Sequence, residues 1–130
     1  MSVSKVDCAA VVRGKGGFVL SLYRHLAPVT VDAVTDALPL SSRAAVYPGM
    51  VTLLTTIKTG VEKQRKDYSR GDVAFFAGTG SVCVFLKNAQ SDSPLNPIGR
   101  IESGLESLDA VRPGDVVQIS KAAPEAVVQT

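Results

Sequence analysis

The 130-residue chain has no Trp, one His and two Cys, and its aromatic content is only 5%. One His and two distant Cys supply too few donors for a zinc or other metal cluster, so no metal is expected. Cys8 and Cys83 each sit in an apolar run and read as buried thiols of an intracellular protein. A disulfide between the two is the less favoured alternative. An excess of either charge is lacking as well. The formal net charge is +2, which gives no grounds for a nucleic-acid or membrane-surface partner. No leader sequence or apolar run of membrane-spanning length is present, and the expected location is cytoplasmic.

What the chain does have is a hydrophobic content of 45% in a length that suits one domain. With few aromatics, the core has to be built from Val, Leu, Ile and Ala, a set biased toward strands. Residues 1–121 read as that domain and 122–130 as a loose tail.

Alternation marks the strands. Val6, Cys8, Ala10 and Val12 share one face, and Phe18, Leu20 and Leu22 share another. The Gly-rich stretch Arg13 to Gly17 between them makes a hairpin. Val31, Val34, Thr35 and Leu38 recur at helical spacing, with Thr30 as the expected N-cap and Pro39 ending the run. This short helix should cover one open end of a barrel. Arg43 to Tyr47 and Met50 to Ile57 read as strands around Pro48-Gly49. Gly71 to Ala77 and Ser81 to Lys87 form a further strand pair, followed by a polar loop over Asn88 to Asn96. Ile98 to Ile101 reads as a strand, Ser103 to Val111 as a second helix, and Asp115 to Ser120 as the last strand. The polar segment Lys58 to Arg70 reads as a solvated connection, with contact to an anionic ligand as the alternative. Seven or eight short strands in so small a chain point to a closed barrel, which leaves no edge exposed.

Chemistry-bearing motifs are few. Gly14-Lys15-Gly16-Gly17 lacks the spacing of a phosphate-binding loop, and a strand follows it rather than a helix. His25 has no adjacent nucleophile to activate. Asp72 and Asp115 each follow a Gly in a turn, where the carboxylate is suited to bonding nearby backbone. Adjacent Phe75 and Phe76 must point to opposite faces of their sheet, so one fills the core and the other is covered, exposed or lining a pocket. Nothing implies a cofactor.

The order of these segments resembles the cyclophilins. Val46-Tyr47-Pro48-Gly49 is similar to the family's Arg-Val-Ile-Pro-Gly-Phe strand. Gly80-Ser81 and the apolar strand after it resemble Gly-Ser-Gln-Phe-Phe, and Gly99 to Glu106 resembles Gly-Lys-Val-x-x-Gly-Met. Gly71 to Leu86 resembles a small group of uncharacterised bacterial and archaeal proteins of the same fold. Their Thr-Pro-x-Ser loop is replaced here by Ala89-Gln90-Ser91. The resemblance implies a closed antiparallel cyclophilin-like β-barrel capped by two short helices. It also implies an outer groove for a small molecule or a proline-containing peptide, lined by Arg43, Tyr47, Met50, Thr52, Phe76, Lys87, Asn88 and Gln90. Where cyclophilins carry the catalytic Arg, this chain has Ala45. The family's pocket Phe and Gln positions fall on Met50 and Leu53, and its second strand Phe on Val84. The expected function is therefore binding without isomerase activity. Weak prolyl isomerisation through Arg43, and a protein-interaction or homo-oligomeric role through Tyr47 and an outer Phe, stand as the alternatives.

Overall fold

The computed structural model describes residues 4–122. Nine strands and two helices follow in the order β1 (Lys5–Val12), β2 (Gly16–Tyr23), α1 (Pro28–Asp36), β3 (Leu40–Tyr47), β4 (Met50–Leu54), β5 (Arg65–Tyr68), β6 (Asp72–Phe76), β7 (Ser81–Phe85), β8 (Ala89–Ser103), α2 (Leu105–Asp109) and β9 (Val116–Lys121). All pairings are antiparallel. The strand order β2-β1-β9-β3-β4-β7-β6-β8 closes on itself through β2–β8, giving an eight-stranded barrel. The tail expected over 122–130 lies outside the described residues from 123 onward. Ala122 still donates its N–H to the Asp7 carbonyl at 3.0 Å.

A barrel of eight strands has an interior just wide enough to be filled by side chains. Here Val12, Leu22, Val51, Leu53, Val73, Phe75, Val84, Ile98 and Val117 fill it, each at most 1% exposed. The helices close opposite ends. α1 follows the C-terminal end of β2 and contributes Val31 and Val34; α2 lies beside the N-terminal end of β2 and contributes Leu108. The barrel wall is tightest where β8 meets β2. A Cβ on Gly99 would overlap the Ser21 carbonyl oxygen.

The two Gly-Asp segments form the same turn. Asp72 N donates to the Ser69 carbonyl at 2.9 Å while Ser69 N donates to Asp72 Oδ2 at 2.8 Å. Asp115 and Arg112 repeat this at 3.0 and 2.8 Å. In both, glycine adopts positive φ one residue before the Asp (93° at Gly71, 90° at Gly114), a conformation L side chains resist.

Three expectations are corrected. Thr30 does not cap α1: the N-cap position is Ala27, which has no side-chain bond. The capping acceptor comes from a distant segment, because Glu62 accepts the N–H groups of Val29 (3.1 Å) and Thr30 (2.9 Å) and the Thr30 hydroxyl (2.9 Å). The Lys58 to Arg70 segment is not wholly a connection, since it contains β5. The loop expected over Asn88 to Asn96 is instead mostly strand, because β8 begins at Ala89.

Asn96 ties these parts together and is fully buried. Its Nδ2 donates to Thr30 Oγ1 (3.0 Å) and the Gly60 carbonyl (2.9 Å), and its Oδ1 accepts from Glu62 N (3.0 Å). Replacing it by Ala removes three hydrogen bonds at once, one of them to the buried Thr30 hydroxyl. Asn96→Ala is expected to cost about 2–3 kcal/mol in urea unfolding. A loss below ~0.5 kcal/mol would contradict this role.

Candidate functional site

β8 serves two structures. Residues 96–103 complete the barrel against β6 and β2, while residues 89–95 leave it and pair with β5. The β5–β8 ribbon forms a flap beside the barrel's outer face. Between flap and barrel lies a second apolar cluster of Tyr68, Ala74, Cys83, Phe85 and Leu95, packed by Met50, Phe76 and Ala89. Tyr68 stacks on Phe85 with ring centroids 4.6 Å apart, and its hydroxyl donates to the Leu95 carbonyl at 2.9 Å. Arg65 lies over the Tyr68 ring at 4.9 Å and reaches Asp72 at 3.6 Å; Asp72 also pairs with Arg100. These contacts fasten the flap to the barrel.

An open groove of about 780 Å³ runs along this cluster. Its floor follows from strand alternation. Arg43, Ala45 and Tyr47 project outward from β3, Met50, Thr52 and Leu54 from β4, and Ser81, Cys83 and Phe85 from β7. Register aligns them in rows: Tyr47–Met50–Phe85, then Ala45–Thr52–Cys83, then Leu54–Ser81–Phe76. The middle row has the smallest side chains, so it forms a trough between two bulkier rows. Ala45 lies in that trough. The wall opposite β3 is the flap, from Ala89 through Asp92 to Leu95.

Of the residues expected at the site, Arg43, Tyr47, Met50, Thr52, Phe76 and Gln90 line this groove. Lys87 and Asn88 do not. The Lys87 stem lies against Gly49 at the β3–β4 turn, and Asn88 Oδ1 accepts the Arg70 N–H at 2.9 Å. Phe75 is fully buried in the barrel and Phe76 borders the groove. The sequence reading did not place Ser81, Cys83, Phe85, Asp92 and Leu95 in the lining. One signal pointed to the β7 members: Ser81–Phe85 is apolar on both faces apart from Ser81, as a strand covered on two sides requires.

Neither cysteine is in a disulfide, and both are buried as expected. They occupy different cores, Cys8 inside the barrel and Cys83 outside it under the flap. Burial pushes the Cys83 thiol up to about 12 and the Tyr68 hydroxyl up to about 12. In the unfolded chain the thiol ionises near 9. Above that pH the unfolded state releases a proton that the folded state retains, so stability falls with rising pH. Cys8, pushed up to about 11, and Tyr68 act in the same direction, so Cys83→Ala should lessen the decline by about 1 kcal/mol per pH unit across that window without abolishing it. An unchanged slope would contradict the burial of this thiol.

The remaining motifs have structural partners. His25 lies at the start of the β2–α1 connection and contacts the Tyr23 ring, with centroids 5.6 Å apart. In the basic segment, Lys63 donates to the His25 carbonyl at 3.1 Å and Arg70 pairs with Asp109 at 2.7 Å. Among the described residues no group of three or more His, Cys, Asp or Glu is placed to hold a metal ion. No helix among them is long and apolar enough to cross a membrane.

An eight-stranded barrel closed at both ends by short helices, with its groove on the outer wall, is the architecture of the cyclophilin-like proteins. The model of the Cyclophilin-like family matches residues 10–120, and the chain belongs to that family. The solution structure of a hypothetical protein from Archaeoglobus fulgidus is similar at 26% identity and a TM-score of 0.81, covering 93% of this chain and 98% of that one. A structure of McbB in complex with tryptophan shares the fold at 13% identity and a TM-score of 0.73. That match covers 89% of this chain and 45% of the other. No curated protein matches the sequence.

Proposed function

We propose that this chain is a binding domain that takes a small molecule or a short peptide in the outer groove and does not isomerise prolyl bonds. The observation that carries this reading is the trough along Ala45, Thr52 and Cys83. It is apolar, roofed on one side by the flap, and within the volume range of small-ligand sites. Lowering the prolyl barrier of about 18–20 kcal/mol calls for a preorganised charge at the amide. The position the family uses for that charge holds a methyl group, that of Ala45.

A second reading, a weak prolyl isomerase, rests on Arg43, which lines the same groove. It lies two residues along β3 from Ala45, a displacement of about 7 Å, and it donates to the Gly114 carbonyl at 3.3 Å. NMR exchange spectroscopy on a proline-containing peptide separates the two. The proposed function predicts cis/trans exchange that stays on the uncatalysed scale of tens to hundreds of seconds. Exchange accelerated a hundredfold by wild type and lost in Arg43→Ala would establish the isomerase instead.

A further inference from the structure

We infer that the groove selects a small amphipathic carboxylic acid, with its apolar body in the trough and its carboxylate on Arg43. This rests on the groove being the binding site.

The inference comes from how charge is distributed around an apolar floor. Arg65, Arg70 and Arg100 surround the flap and the nearby turn, and each faces an aspartate. Arg43 alone of these four lines the groove without a carboxylate partner among the described residues. Its one hydrogen bond goes through Nη1 to a neutral carbonyl, that of Gly114. The remaining guanidinium donors are free to form the two-pronged bond that a carboxylate accepts. The acceptor therefore has to arrive with the ligand.

Placement fixes the ligand's direction. Arg43 stands at the β3 edge, one outward position beyond Ala45. Asp92 stands on the flap wall, and no cation pairs with it among the described residues. It repels an anion placed under the flap. The anionic end of a ligand is thus drawn toward Arg43 and its apolar end toward Phe85, Leu95 and the flap. The groove volume of about 780 Å³ lies within the range of small-ligand sites. The C-terminal residue of a peptide presents the same chemistry and is distinguished by experiment.

The test uses naphthylacetate and its uncharged isostere naphthylacetamide, each titrated into the chain and followed by the amide NMR shifts of Thr52, Cys83 and Gln90. The acid should bind about tenfold or more tightly than the amide, because a hydrogen-bonded charge is worth more than a neutral contact. Arg43→Gln should abolish that preference, and Arg43→Lys should keep part of it. Arg43 is exposed, and circular dichroism of each variant checks that the barrel is intact. Equal binding of acid and amide, or a preference that survives Arg43→Gln, overturns this inference and leaves the groove reading standing. Absence of groove shifts with either compound overturns both. A short peptide ending in phenylalanine that binds more tightly than naphthylacetate would reassign the site to peptide termini and overturn the small-acid assignment.

Discussion

Gly99→Ala should destabilise the chain by about 3 kcal/mol and lower its melting temperature by roughly 12 °C. The reason lies in the seam that closes the barrel. Gly99 pairs with Leu22 across β2–β8 and with Val73 across β6–β8, so strands flank it on both sides. A single methyl would overlap the backbone carbonyl of Ser21 and crowd Leu22 Cα within 3.1 Å. Backbone cannot rotate aside as a side chain can. The strands must separate locally, which opens the ring where a barrel is least able to yield. Gly60→Ala is the control. Its added Cβ meets nothing within 4 Å, and its stability should change by less than about 0.5 kcal/mol. Thermal melts of both variants check this. A Gly99→Ala melt close to wild type would show that β2 and β8 do not close as described.

Ala45→Phe should weaken binding in the groove about thirtyfold while leaving the fold unchanged. The new ring would lie in the trough between Thr52 and the bulkier rows, in the space a ligand would take. Losing burial of one aromatic group is worth about 2 kcal/mol, or roughly thirtyfold in affinity. Stability should stay within ~1 kcal/mol of wild type, because residue 45 points outward into open volume and not into the barrel. Titration of the variant beside wild type by NMR provides the check. Undiminished affinity in a folded Ala45→Phe protein would place the ligand elsewhere.

The barrel was legible in the sequence because its interior obeys alternation. Val6 to Val12 and Phe18 to Arg24 were readable as a hairpin, and the two strands pair from Lys5↔Tyr23 to Val12↔Gly16. The repeated Gly-Asp pairs were readable as turns because Gly supplies the positive φ and Asp the acceptor. The flap was not legible. β5 is Arg-Lys-Asp-Tyr, with only its last residue buried, and its partner residues 89–95 are mostly exposed and polar. Such a ribbon has no apolar face to betray it. Its one buried side, Tyr68 and Leu95, is made by contact with the outside of the barrel. The cap of α1 was missed for a similar reason. Local spacing favoured Thr30, but the acceptor belongs to Glu62, 32 residues away.

The candidate site was half legible. Arg43, Tyr47, Met50 and Thr52 were placed through the resemblance and do share one face, whereas Leu53 and Val84, which the resemblance put at pocket positions, point into the barrel. Lys87 and Asn88 fall outside the lining: the Lys87 stem packs on Gly49 at the groove's rim, and the Asn88 amide oxygen is taken up by the Arg70 N–H. Asp92 and Leu95 could be found only once the flap was known.

The outer groove between β3 and the flap is the proposed binding site. Amide NMR shift mapping with a library of small aromatic and aliphatic acids, amides and proline-containing peptides tests it most directly. Shifts should concentrate on Ala45, Thr52, Cys83 and Gln90 and be lost in Ala45→Phe at the same ligand concentrations. Shifts concentrated on the barrel ends, or on the β4–β5 connection, with none along the trough, would contradict it.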